Sequence, residues 1–300
     1  MNSVIAASAL EFLSPTINFK SSDIAKLPLP SDRSLTESET IVKNLVNIHK
    51  SDWDSSEFSW DFVKSPIIEK SNCLEDSWIE MDKSYCLSII ETRKYQERIN
   101  EIFISEYGLS LEIPSEVPES QITLARADRE KDCQRLISYA IGCMMGRYSL
   151  DEPGLIYAHA GNVGFEPGRY ATFPADADGI VPITDELWFA DDAPSRIREF
   201  LRAVWGPDTL EENMAWLAES LGTKATETPD ETIRRYIADK FFKGHLQTYK
   251  KRPIYWLFSS GKQGAFQALV YLHRYHEGTL ARLRAEYVVP LTGRIQSRIE

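Results

Sequence analysis

Four cysteines in 300 residues, Cys73, Cys86, Cys133 and Cys143, form no C-x-x-C pair and no metal-like cluster. That spacing excludes a disulfide framework and points to free thiols in a reducing, cytoplasmic setting. Long apolar runs are also lacking. The longest are short and interrupted by charge, which argues against a membrane span, and no apolar stretch of signal-peptide length stands at the amino end. No G-x-x-x-x-G-K-[ST] loop occurs, and the string Asp176-Ala177-Asp178-Gly179 lacks the spacing and terminal Glu of a calcium loop.

What is present is a composition that folds. With 43% hydrophobic residues the chain has enough apolar material for one large domain or two smaller ones. The net charge of −11 is unevenly spread. From Lys240 onward, eleven Lys and Arg face three Glu, a net of +8, and the preceding 239 residues carry −19. Such asymmetry lets an acidic protein present a basic face to a polyanion. It is equally compatible with attraction between the two halves or with a solvated basic face, and charge alone leaves all three open.

The chain opens with a helical pattern over residues 2 to 13 that ends at Ser14-Pro15. Alternation over Thr16 to Phe19 and the proline-closed stretch Ile24 to Pro30 predict short edge strands. This opening reads as the tail of a unit that begins earlier. Helix-start signals at residues 31 to 37 lead into a stripe of Ile41, Leu45 and Ile48. Four aromatics in ten residues, Trp53, Phe58, Trp60 and Phe62, predict a satellite core. A long helix follows from Asp82 to about Tyr107, with Leu87, Ile90, Ile99, Ile102 and Phe103 apolar and Gly108 as its stop. Another covers Asp128 to Tyr148, where Gly142 and Gly146 imply close packing and Arg147 complements the helix dipole.

Residues 149 to 186 are irregular. His159 invites a catalytic label and Asp176, Asp178 and Asp185 a metal label, but no partner motif supports either, and neither site is assigned. Three capped helices come next. Asp192 precedes Pro194, Thr209 with Glu212 and Thr228 with Glu231 have the spacing of capping boxes, and Gly222 is a stop.

The chain is organised around Gly244 to Leu280. Lys250, Lys251 and Arg252 are followed by Pro253, which disfavours helix at Arg252. Ile254 to Phe258 reads as one strand buried on both faces. After Gly261-Lys262-Gln263-Gly264, the residues Phe266, Leu269, Val270 and His273 have helical spacing, so a strand, a tight turn and a helix are expected. A helix N-terminus would attract a phosphate, but a two-glycine turn is ordinary punctuation and no cradle is assigned. Leu280, Leu283, Tyr287 and Leu291 predict a last helix, interrupted at Pro290 and still amphipathic at Glu300, as if it continued. The class expected is α+β, mainly α.

Two separate parts carry a resemblance. The opening NSVIAASALEFLSPTINFKSSDIAKLPLP resembles the end of the target-recognition region of large single-chain adenine-specific DNA methyltransferases of the Eco-type restriction-modification kind. The blocks ISYAIGCMMGRYSLDEPGLIYA, TPDETIRRYIADKFFKGHLQTYKKRPIYWLFSSGKQGAFQALVYLHRY and RLRAEYVVPLTGRIQSRIE are similar to the C-terminal region of PglX, the methyltransferase of bacteriophage exclusion (BREX) systems. In these enzymes a glycine-rich loop binds S-adenosylmethionine and an N-P-P-[YF] motif holds an extruded adenine. Neither motif occurs in this chain. The resemblance therefore implies the post-catalytic part alone, with the methyltransferase domain upstream, no catalytic residue and no cofactor or metal site here.

It further implies residues 1–31 as the end of a target-recognition region, 32–243 as a mainly helical spacer domain, and 244–300 as a basic unit running into a C-terminal helix. Duplex DNA is the expected partner. The contacts expected are Lys250, Lys251, Arg252 and Arg274, with Lys20 and Lys26 beside the recognition remnant. The alternative is a protein-interaction module, its acidic part docking onto other BREX subunits.

Overall fold

In the computed structural model the described residues are 3–14, 18, 20–27, 32–68, 71–109, 113–261 and 264–299. The architecture is α+β and mainly α, with a small antiparallel sheet. The chain divides into two compact units, one of Met1–Trp53 with Asp82–Arg126, the other of Asp54–Met81 with Ala127–Glu300.

In the first unit, α1 (Val4–Leu13) starts at Ser3, whose hydroxyl accepts from the Ala6 N–H at 3.3 Å. A helical turn, α2 (Ser21–Ile24), runs into the stretch Ile24–Pro30 expected as an edge strand, and the residues described there, Ala25 to Leu27, form a turn and a bend rather than a strand. Asp23 decides this locally, because its carboxylate accepts the Lys20 N–H at 3.2 Å and closes the turn. Residues 28–30 and most of the Thr16–Phe19 alternation lie outside the described residues. The helices α3 (Asp32–Asp54) and α4 (Leu74–Glu106) supply the core. Ile41 and Leu45, one turn apart, pack with Ile99 and Ile102, and a second cluster joins Ile89 to Val117, Ile122 and Leu124. Each such side chain contributes about 1.5–3 kcal/mol when fully buried. Leu87 and Ile90, expected on the apolar face, are exposed.

In the second unit, α5 (Arg129–Met144) is buried from Leu136 to Met144 apart from Ser138. Gly142 is required where the helix ends, since a Cβ there would stand 2.5 Å from the Tyr148 ring. The helices α6 (Ala193–Trp205), α7 (Leu210–Leu221) and α8 (Pro229–Tyr236) follow. The Asp192 cap and the Thr228–Glu231 capping box form as their spacing predicts. The Thr209–Glu212 box does not. Thr209 has φ −102° and ψ 9°, outside the extended region a cap needs, and its hydroxyl donates to the Asn72 carbonyl instead.

The sheet consists of β1 (Ile180–Ile183), β2 (Tyr255–Ser259) and β3 (Gln267–Tyr271) in the order β1-β3-β2. Tyr255 pairs with Tyr271 and Ile180 with Val270. Two expectations are corrected here. The segment expected as a helix after the Gly261–Gly264 turn is the central strand β3. Its run Ala268 to Tyr271 is buried because both faces are covered, and a short fully buried run satisfies helical spacing and strand burial alike. The strands β2 and β3 pair antiparallel on either side of Gly261 and Gly264, so no helix N-terminus follows to draw a phosphate; Lys262 and Gln263 lie outside the described residues. Conversely β2, expected to be buried on both faces, is an edge strand with Trp256 39% exposed.

A last helical run, α9 (Phe242–Thr248) aside, covers one face of this sheet. It comprises α10 (Thr279–Arg282), a wide π turn over Leu283–Val288 and α11 (Val289–Ile299). Leu283, Tyr287 and Leu291 pack on Ile180, Ala268 and Val270. Pro290 is accommodated by the wide turn just before it and does not end the helix. Of the four aromatics expected as a satellite core, only Phe62 is buried, edge-on to Tyr139 and Tyr148. Trp60 is fully exposed, as a chain of turns has no period to bring its rings to one face.

Candidate nucleic-acid interface

The helix α8 continues through a π turn at Ile237–Phe241 into α9, and the basic cluster follows at once. Three bonds close the helix end. The Tyr249 N–H donates to His245 at 3.0 Å, the Lys250 N–H to Gln247 at 3.2 Å and the Lys251 N–H to Leu246 at 2.7 Å. This is a Schellman ending, which places Lys250 at the position that favours glycine. Lys250 has φ +50° and Lys251 φ +64°. Two successive lysines in the left-handed region cost about 1–2 kcal/mol each relative to ordinary backbone.

The turn is braced from both sides. Tyr249 donates its hydroxyl to Oε1 of Glu57 at 2.9 Å, and Ser138 donates to Oε2 at 2.7 Å. Burial pushes the Glu57 carboxyl up, against the lowering effect of those two donors and of Arg147. On the far side, Nε2 of buried His245 accepts the backbone N–H of Ile254 at 3.0 Å and of Tyr255 at 3.3 Å. Its proton therefore sits on Nδ1, which has no hydrogen-bond partner among the described residues. Burial, with the Arg147 charge, lowers this imidazole to about 4, so it is neutral and a competent acceptor.

Between these braces Lys250, Lys251 and Arg252 are exposed, and among the described residues no hydrogen bond or ion pair engages their side chains. Elsewhere in the second unit several arginines pair with carboxylates among the described residues, Arg129 with Glu219, Arg198 with Asp230, Arg234 with Asp192 and Arg235 with Glu227, although exposed Arg202 and Arg284 do not. The turn is a fixed group of three uncompensated cations, suited to an anion of spaced charges.

Arg274 does not join it. This side chain is 1% exposed, and its guanidinium donates to Asn162 Oδ1 at 2.8 Å, to the Asp176 carbonyl at 2.6 Å and to the Ala177 carbonyl at 2.8 Å. It also lies 3.8 Å over the Phe165 ring. The expectation that Arg274 contacts DNA is corrected: its donors are spent inside the protein, where they tie the loop at Asn162 to β1. Lys20 and Lys26 are exposed and belong to the first unit, where Lys26 stands 3.6 Å from Asp23.

His159 is exposed at the rim of a cleft of about 280 Å³ also lined by Tyr157, Glu166 and Arg169. Asp176 and Asp178 are neighbours that both accept the Ile180 N–H, whereas Asp185 is engaged separately. Asp176 accepts the N–H groups of Asp178, Gly179 and Ile180, and Asp185 those of Glu186 and Trp188 Nε1. Among the described residues no group of three His, Cys, Asp or Glu is placed to hold a metal. Nor is any helix there long and apolar enough to cross a membrane. Glu57 and Tyr249 escape sequence reasoning because they pair across 192 positions, and His245 because its side-chain contact with the backbone of Ile254 and Tyr255 has no sequence signature; the left-handed break after α9 was foreshadowed only by Pro253.

The site is thus a braced cationic turn on a mainly helical α+β scaffold. No protein-family model matches the chain. Two curated proteins do. The adenine-specific methyltransferase BrxX of Escherichia coli O9:H4 (strain HS) is 42% identical over an alignment of 332 residues that takes in all of this chain. The adenine-specific methyltransferase PglX of Lacticaseibacillus casei (strain Zhang) is 37% identical over 300 residues and 97% of the chain. The chain is homologous along its length to these BrxX and PglX adenine-specific methyltransferases, and it spans about a quarter of each, 27% and 24%.

Proposed function

We propose that this chain is a DNA-holding recognition and spacer region of a BREX-type adenine-N6-specific DNA methyltransferase. In this reading it serves phage defence beside a methyl-transferring domain that binds S-adenosylmethionine. It contributes no catalytic residue and no cofactor contact itself. The observation that carries the reading is the braced turn: three adjacent uncompensated cations, held in costly backbone geometry, in a chain homologous to methyltransferases. Lys250, Lys251 and Arg252 each neutralise one phosphate and release its counterions. Lys20 and Lys26, in the first unit, are separate and weaker candidate phosphate contacts.

Fluorescence anisotropy of a labelled duplex titrated with the 300-residue chain tests this. The reading expects saturable binding that weakens as salt rises from 50 to 200 mM. Absence of binding at low salt contradicts it.

A further inference from the structure

Four residues beyond Arg252, within ~14 Å of extended chain, the edge strand β2 carries Trp256. Along β2, Trp256 and Phe258 share a face. Phe258 is tucked against the cluster formed with the C-terminal helical run, whereas Trp256 projects past it, 39% exposed. The Tyr275 ring supports it from beneath, centroids 5.6 Å apart at 51°. The backbone that carries the indole is also held in place. Trp256 pairs with Val270 in the central strand, and the two residues before it, Ile254 and Tyr255, are the ones whose N–H groups His245 holds. A large exposed aromatic on an open sheet edge invites unwanted pairing unless it serves contact.

Resting on the DNA-holding reading above, we propose that Trp256 is a base-contacting residue. Its free face stacks on a base that has left the duplex stack, beside the phosphates held by Lys250, Lys251 and Arg252. A flat π face next to fixed cations is the chemistry of unstacked nucleic acid, where an aromatic takes the base and cations take the backbone. A methyltransferase acting on a base must unstack it. A protein partner would equally cover an apolar ring, but three uncompensated cations beside that ring favour a ligand with phosphates.

The test compares two labelled duplexes, one fully paired and one with a single bulged adenine, titrated with the parent chain, Trp256→Ala, Trp256→Leu and Trp256→Phe at one low salt concentration. The parent should prefer the bulged duplex by about 5- to 150-fold, the range that one stacked base contributes. Trp256→Ala and Trp256→Leu should abolish the preference and leave paired-duplex affinity within about threefold. Trp256→Phe should retain most of the preference, which a merely space-filling role would assign to Leu instead. Equal binding of the two duplexes by the parent, or a preference that survives in Trp256→Leu, overturns the inference and leaves salt-dependent duplex binding standing. If the parent binds neither duplex, the DNA-holding reading falls with it.

Discussion

Tyr249, the residue immediately before the basic cluster, donates its hydroxyl to Glu57 at 2.9 Å across 192 positions of sequence. The bond fixes where the following cations emerge, and among the described residues it is one of two side-chain hydrogen bonds to that enclosed carboxylate. Tyr249→Phe leaves Oε1 short of a partner, which costs about 1–3 kcal/mol. Urea unfolding should show this as a lower midpoint at unchanged slope. In a double-mutant cycle with Glu57→Gln the two losses should be non-additive; simple additivity would show that the pair does not act as a unit.

Lys250 occupies the left-handed position of the Schellman ending, which glycine adopts without steric cost. Lys250→Gly should therefore raise stability by about 1 kcal/mol while lowering duplex affinity. Thermal unfolding and anisotropy on the same variant read the two effects. Opposite signs are the expected result, since a strained lysine persists where its charge is used. A variant that is less stable would show that the turn is not strained.

The neutral His245 makes stability fall in acid. Its value is lowered to about 4 in the folded protein against an ordinary 6.5, so the unfolded chain takes up the proton first as pH drops. The stabilising contribution is complete above pH 6.5 and is lost between 6.5 and 4, amounting to about 3 kcal/mol. Glu57, raised by burial, and Asp178, raised to about 7 by burial and by neighbouring Asp176, act with the opposite slope. The difference between parent and His245→Phe isolates the histidine: it should narrow as pH falls from 6.5 to 4. A constant difference would contradict the neutral-acceptor role.

Arg274 is predicted to matter for stability and not for DNA. Arg274→Lys keeps the charge but cannot reproduce three donors in a fixed fork and loses the contact with Phe165. A loss of about 2–4 kcal/mol in unfolding free energy is expected, with duplex affinity and salt slope unchanged in the folded variant. A changed salt slope would return Arg274 to the interface.

The contrast between Arg274 and Lys250 marks what the sequence could disclose. Both stand in the same basic stretch, and only the partners of Arg274 separate them: Asn162, Asp176 and Ala177 lie about 100 residues earlier, in a segment without period. Caps were legible where one residue reaches three along, as Thr228 to Glu231 and Asp192 to Ser195, because that chemistry is local. It failed at Thr209, whose hydroxyl is engaged by the Asn72 carbonyl and the Asn213 amide instead of capping the helix. The strand β2 was visible from its β-branched and aromatic run. The strand β3 was not, because what makes it a strand is pairing with Ile180–Ile183, and a continuous apolar run carries no period to distinguish it from helix. The mainly α class was legible from the summed helical stripes, whereas the brace of Glu57 and His245 on the basic turn depends on contacts no spacing predicts.

The most direct measurement is the salt dependence of duplex affinity for the parent chain and for Lys250/Lys251/Arg252→Ala, compared as slopes of log affinity against log salt concentration. Three phosphate contacts predict that the triple variant binds more weakly and that its slope is shallower by about 2.7, the counterions those residues release. Identical slopes for the two proteins would contradict the account: the turn would then hold no DNA, and docking onto other protein subunits would replace it as the use of these cations.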